Sequence, residues 1–159
     1  MIYFDHNATT PPAPEVQAAL ADCLTRSWGN PSSLHAAGQA ARAVREEARR
    51  ALATLIRARP DAILFTSGAT EAANQILLGP LLRPERRPRH LVISAIEHPC
   101  VLEPAQTLER LGWTVTRVGV DAQGRVDPQA VADALRPDTA LVSVMLANND
   151  TGVIQPVGE

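Results

Sequence analysis

No lysine occurs among the 159 residues: all 15 basic side chains are arginine, which excludes any mechanism needing a lysine amine within this chain. Aromatic residues make up only 3%, so the core must be built from Ala, Val, Leu and Ile, which is feasible at this length. The two cysteines, Cys23 and Cys100, lie far apart and show no CxxC or Cys/His ligand spacing. They suggest neither a disulfide scaffold nor a metal site, and a reduced, cytoplasmic setting is expected. Charge of one sign is also lacking, since 15 basic residues against 17 acidic ones leave a formal net charge of −2 without a basic block. This removes the footprint of a protein whose partner is nucleic acid or an anionic membrane. No stretch approaches a membrane span, and the opening Met1 to Asn7 turns polar too soon for a secretory signal, so the chain reads as mature and soluble. With 45% hydrophobic residues, one ordinary domain is expected.

Along the chain, Ile2-Tyr3-Phe4 reads as a short β-prone start, broken by Asn7 to Thr10 and by Pro11, Pro12 and Pro14. Glu15 to Thr25 carries Val16, Ala19, Leu20 and Cys23 at helical spacing, and Gly29 to Ser33 is a loop by composition. From His35 to Arg57, Ala40, Val44, Ala48, Ala51, Leu52 and Leu55 repeat at three and four. Opposite them stand Arg42, Arg45, Glu46, Arg49 and Arg50, as in a long amphipathic helix with a solvated face of Glu–Arg pairs. The rhythm then changes. Ala62 to Phe65 reads as a strand, Thr66 to Glu71 as a turn, and the run through Asn74, Ile76, Leu77 and Leu78 as a helix, followed by a polar connection from Pro80 to Pro88. His90 to Ser94, Trp113 to Val118 and Thr139 to Leu146 read as strands, with helices over Pro99 to Leu111 and Pro128 to Leu135. The alternation predicts an α/β fold of three layers, a mostly parallel sheet with helices on both faces. Because the apolar strand near Leu146 has no covering helix after it, the fold is expected to be incomplete at Glu159.

Three polar strand ends draw attention in such a sheet. Ser67-Gly68-Ala69-Thr70-Glu71 stands at a helix N-terminus, where small residues let backbone N–H groups approach an anion and Thr70 offers a hydroxyl. It lacks the lysine of a P-loop and the three glycines of a dinucleotide fingerprint, and an ordinary capped turn is the plainer alternative. His98 follows Glu97 at the end of the next strand, where an imidazole can stack on a planar ring, move protons near neutral pH, or cap its own helix. Asn148-Asn149-Asp150-Thr151-Gly152 ends the third strand, either as a turn or as a set of amide donors and acceptors. Thr, His and Asn converging on one sheet edge favour a ligand site over three independent turns.

Five segments together resemble the cysteine desulfurases: Asp5 to Pro11, Gly29 to Ser33 with His35 and Gly38, Phe65 to Glu71, Glu97-His98, and Asn148 to Gly152. These are pyridoxal phosphate enzymes of the class V aminotransferase group, fold type I, and the resemblance runs in order from Tyr3 to Pro156. It implies a short N-terminal arm over residues 1–14 and, over 15–159, part of the large cofactor-binding domain, with less than half of a full family member present. It further implies that Ala69 and Thr70 bind the cofactor phosphate, that His98 stacks on the pyridine ring and shuttles protons, and that Asn149 hydrogen-bonds near the phenolic oxygen. The loop Asn30 to His35 and the arm around Asn7 would lie near the active-site mouth. The family takes sulfur from L-cysteine, leaving L-alanine and a persulfide for iron–sulfur or thiolation pathways. A homodimer and a sulfur-acceptor protein are the implied partners. The lysine that carries the cofactor, the aspartate opposite the pyridine nitrogen and the nucleophilic cysteine are not visible in this chain, which is expected to be inactive alone. Cys23 and Cys100 fall in early helical segments away from the family's nucleophile and read as small buried or partly buried residues. Asp150 stands where the family commonly has Glu, a mild departure.

Two other readings remain open. A selenocysteine lyase or another class V enzyme would use the same cup and histidine, and a loop cysteine beyond this chain discriminates it. A non-catalytic or split half-domain, acting as a binding module, is favoured by the missing lysine and disfavoured by an uncovered apolar strand.

Overall fold

The computed structural model describes residues 2–82 and 89–159, so 83–88 of the expected Pro80 to Pro88 connection lie outside the described residues. Two compact units emerge, Pro11–Phe65 and Met1–Thr10 with Thr66–Glu159.

In the first unit, helix α1 spans Pro14–Arg26. Proline at its first position gives up an N–H that would be orphaned anyway, and Glu15 in the first turn and Arg26 in the last complement the helix dipole. The following loop closes on Asn30, whose Oδ1 accepts from the Ser32 N–H (2.9 Å) and whose carbonyl accepts from the Ser33 N–H (2.9 Å). It packs tightly on the next helix: a Cβ on Gly38 would stand 2.5 Å from the Ser33 carbonyl oxygen and 2.7 Å from that of Asn30. Helix α2, Ala36–Leu55, is capped by His35, whose Nδ1 accepts from the Gly38 N–H.

Helix α2 forms where its periodicity places it, but its faces differ from expectation. Ala40, Val44, Ala48, Ala51, Leu52 and Leu55 are exposed, while Gly38, Ala41 and Ala53 are buried and Arg45, Glu46 and Arg49 are half-buried. The charged side is usable for packing because its charges are matched. Glu46 accepts from Arg45 Nε (3.1 Å) and Arg49 Nε (3.0 Å), and Arg49 donates to the Ile63 carbonyl and lies 5.0 Å from the Phe65 ring centre. The expected strand Ala62 to Phe65 is not one: Pro60–Ala62 make a 3-10 turn and 63–66 run without a ladder partner among the described residues. Ile2 to Phe4 likewise pairs with nothing described, and Ile2 and Phe4 are exposed. Apolar, β-prone residues make a strand only beside a partner strand.

The second unit is built on three strands, β1 His90–Ser94, β2 Thr114–Val118 and β3 Thr139–Ser143, in the order β2-β1-β3 with both pairings parallel. All five residues of the central strand β1 are buried. Its Leu91 and Ile93 pack with Leu77 of helix α3 (Ala69–Leu78) and with Ala105 and Leu108 of helix α4 (Pro99–Arg110). On the other face Val92 joins Val118, Val126 and residues of helix α5 (Pro128–Ala134). Helices therefore cover both faces of a parallel sheet, as the alternation predicts. Strand β3 stops at Ser143, short of the expected Leu146, because the chain there turns into a loop closed by an antiparallel bridge between Ala147 and Ile154.

Candidate functional site

Helix α3 begins at Gly68, which offers no side-chain cap. The N–H groups of Ala69, Thr70 and Glu71 and the Thr70 hydroxyl find no acceptor among the described residues, and both Ala69 and Thr70 are exposed. A Cβ on Gly68 would meet nothing within 4 Å, so the space in front of these donors is open. The one acid of the first turn folds back over this helix end and is held by the residue before the cap. Glu71 Oε2 accepts from both the Ser67 hydroxyl (2.7 Å) and the Ser67 N–H (2.7 Å), and these bonds hold its carboxyl below the ordinary carboxylate range. The result is a helix N-terminus whose first N–H groups are unpaired and whose neighbouring carboxylate is engaged by Ser67, an arrangement that can receive an anion. It follows an extended segment and not a strand of the sheet, which corrects the β-turn-α unit expected there.

His98 stands at the junction of β1 and α4 and is exposed. It does cap its own helix: Nδ1 accepts from the Cys100 N–H (3.1 Å). That bond puts the proton of the neutral ring on Nε2, so capping orients the imidazole and leaves an N–H donor free at its outer end. The capping and the ligand-facing readings of His98 are thus compatible.

Asn149, half-buried, donates from Nδ2 to Asp150 Oδ1 (2.8 Å). Its loop is shaped by its neighbour, for Asn148 Oδ1 accepts from the N–H groups of Asp150 (3.0 Å) and Thr151 (2.9 Å) and from the Thr151 hydroxyl (3.0 Å). Asn148 Nδ2 in turn donates to the Ile96 carbonyl (3.2 Å), two residues before His98. Asn7 of the N-terminal arm donates to the Asn148 carbonyl (3.4 Å), which brings the arm to this loop. Glu97, buried, accepts from Ser94 at the end of β1 and from Ser143 and the Met145 N–H at the end of β3. The structure thus draws the His98 segment, the Asn149 loop and the arm together. Ala73, Ile76 and Leu77 of α3, Val101 in the first turn of α4 and residues 141–144 line one groove, which sets α3 beside β3; Ala69 and Thr70 are not among its lining residues. The expected loop Asn30 to His35 belongs to the other unit.

Sequence reasoning singled out His98 and Asn149 and passed over the residues that hold them, Glu97 and Asn148. The signal is present: an acid and an amide, each a few residues beyond an apolar run, have to find hydrogen-bond partners when they are buried there. Cys23, expected to be at least partly buried, is exposed, and Cys100 is half-buried. Among the described residues no three His, Cys, Asp or Glu side chains gather as metal ligands, and no helix is long and apolar enough to cross a membrane.

Comparison with known proteins decides the family, since residues 2–159 match Aminotransferase class-V. The chain belongs to the class V aminotransferases. It is 44% identical to a cysteine desulfurase IscS of Dictyoglomus turgidum, over 99% of this chain and 40% of that protein. It is 42% identical to a selenocysteine lyase of Xenopus laevis, again over 99% of this chain and 40% of the relative. Among solved structures, a NifS-like protein superposes with a TM-score of 0.92 at 39% identity, covering 98% of this chain and 43% of that one. A structure described as SspA in complex with cysteine gives 0.87 at 35% identity, covering 98% and 45%. The chain thus spans about two-fifths of the curated relatives it matches. The class V parallel sheet with helices on both faces is present here in part.

Proposed function

We infer that this chain provides the front part of a pyridoxal phosphate-dependent cysteine desulfurase, with residues 1–14 as an arm and 15–159 as part of the cofactor-binding domain. The carrying observation is that four unpaired donors at the start of α3, an oriented imidazole at His98 and the Asn149 loop occur in this order in a class V chain. Donors without acceptors and open space before Gly68 fit a phosphate, and an exposed, oriented imidazole fits the face of a pyridine ring. No residue of the chain can supply a lysine attachment.

In this reading the N–H groups of Ala69 and Thr70 and the Thr70 hydroxyl would hold the phosphate, His98 would stack on the ring, and Asn149 would hydrogen-bond near the phenolic oxygen. Bound pyridoxal phosphate supplies an electron sink for the amino acid's bonds. The chain's own part is positional and protonic. The helix N-terminus would offset part of the phosphate charge, His98 Nε2 would hold or deliver a proton at the open side, and the amide of Asn149 would orient the polar groups at the ring edge. The overall reaction would move sulfur from L-cysteine to an enzyme thiol, leaving L-alanine and a persulfide that an acceptor protein takes up. A cytoplasmic homodimer working for iron–sulfur or thiolation pathways is the setting that fits this activity.

The chain alone, given pyridoxal phosphate and L-cysteine, is expected to release no alanine. Joined after Glu159 to the remaining three-fifths of the Dictyoglomus relative, it is expected to release alanine from L-cysteine. A folded, cofactor-loaded hybrid without that activity overturns the reading. The likeness to a selenocysteine lyase favours a second substrate, and a hybrid that turns over L-selenocysteine but not L-cysteine would replace the first reading with that one.

A further inference from the structure

We propose that Glu97 is a positioning residue, whose buried carboxylate fixes His98 relative to the Asn149 loop; this rests on the pyridoxal phosphate reading of the site. Glu97 is only 7% exposed, and among the described ion pairs none involves it. Three donors from two strands converge on it instead. Oε1 accepts from the Ser94 hydroxyl (2.8 Å) and the Met145 N–H (2.7 Å), and Oε2 accepts from the Ser143 hydroxyl (3.2 Å).

The placement of these donors gives the carboxylate its role. Ser94 is the last residue of β1 and Ser143 the last of β3, so Glu97 ties together the two strand ends from which the site emerges. His98 is the next residue along the chain on one side. On the other, Met145 stands three residues before Asn148, which shapes the Asn149 loop and returns a bond to the Ile96 carbonyl. Two loops that carry the ring-facing imidazole and the amide are therefore joined by one buried acceptor and one amide. Removal of the carboxylate leaves the Ser94 and Ser143 hydroxyls and the Met145 N–H without their partner, and the two loops lose their common anchor. Glutamine preserves most of this arrangement. Its Oε1 can keep the Ser94 and Met145 bonds, and its amide can donate to Ser143 Oγ once that hydroxyl turns.

The test compares two probes by calorimetry on the cofactor-free hybrid, in which this chain is joined to the remaining part of the Dictyoglomus relative. Inorganic phosphate reads the α3 cup alone, whereas pyridoxamine 5′-phosphate, which needs no lysine, adds the ring at His98. The wild-type hybrid is expected to bind pyridoxamine phosphate more tightly than phosphate. Glu97→Ala is expected to lose at least about tenfold of that preference while binding phosphate as the wild type does. Glu97→Gln is expected to retain the preference within about threefold. General loosening of the fold would weaken both probes together, so their ratio isolates positioning. Retention of the preference in Glu97→Ala overturns the proposal, and so does an equal loss in Glu97→Gln, which would point to charge in place of position. If Glu97→Ala does not fold, Ser143→Ala decides, with a reduced preference in support and an unchanged one against. A wild-type hybrid without any preference removes the pyridoxal phosphate reading itself, and is recognised because it appears before any variant is made.

Discussion

Arg57 adopts φ = 55°, the only described non-glycine residue with positive φ. It follows the C-terminus of α2, where the Arg57 N–H donates to the Thr54 carbonyl (3.3 Å) and the Ala58 N–H to the Ala53 carbonyl (2.8 Å). This is the helix-ending pair of bonds that usually places glycine at the left-handed position. Arginine there bears the Cβ clash that glycine avoids. Arg57→Gly is therefore expected to stabilise the chain by roughly 1 kcal/mol, read as a higher denaturant midpoint at unchanged slope. A lower midpoint would mean that the arginine side chain contributes more than its backbone costs. The expected end of the helix at Arg57 carries no hint of this, because hydrophobic spacing is silent on the sign of φ.

At the scale of elements, periodicity located α1 to α5 and all three strands of the sheet to within a few residues, and in α3, α4, α5 and the strands the apolar residues it rests on pack together on the two faces of the sheet. It failed where burial depends on something further away. Ala62 to Phe65 and Ile2 to Phe4 have strand-like residues but no ladder, and the apolar stripe of α2 faces solvent while Arg45 and Arg49 pack through their pairing with Glu46. The site shows the same division. Residues 67–71, His98 and the Asn148 to Gly152 loop stand out in the sequence as polar breaks after apolar runs, whereas the bonds of Glu97 and Asn148 cross between elements and leave no local pattern.

A cross-element bond of the same kind ties the sheet together at its other end. His90, fully buried at the start of the central strand, pairs through Nδ1 with Thr139 Oγ1 (2.8 Å) on β3 and through Nε2 with Thr116 Oγ1 (2.8 Å) on β2. Burial first, and then the Arg136 charge, hold its imidazole below the ordinary value, with Asp138 pulling weakly the other way. The unfolded chain, whose histidine titrates near its ordinary value of about 6.5, thus binds more protons than the folded one below that pH. Stability is expected to be level through this group above about pH 6.5 and to fall as the pH drops below it, towards the lowered folded value. Thermal melts between neutral pH and pH 5 check this, with His90→Gln as the comparison. A slope that persists unchanged in that variant would assign the loss to other groups.

For the whole molecule, the balance between covered and uncovered apolar surface matters most. The sheet has a firm centre in β1, yet its edge strand β3 is only half-buried, and an apolar hollow of about 330 Å³ opens between α5, Val142, Val144 and Pro156. In the other unit Leu20, Leu24, Leu55 and Leu64 are all more than half exposed, and α1 buries no residue at all. Large apolar side chains left open to solvent in this number favour association, and an apolar edge strand is a template for pairing with another chain. The isolated 159-residue chain is accordingly expected to associate with rising concentration, seen as a shift in sedimentation coefficient, and to bind a fluorescent apolar dye. The hybrid carrying the remaining part of the Dictyoglomus relative is expected to show much less of both, because the class V relatives are about two and a half times as long and have further chain with which to cover these faces. A chain that instead sediments as a monomer at all concentrations, with a single cooperative melt, would show that these surfaces are tolerated without a cover. That outcome would favour the split half-domain, a stable module that waits for a lysine from a separate partner, over the front part of one continuous enzyme.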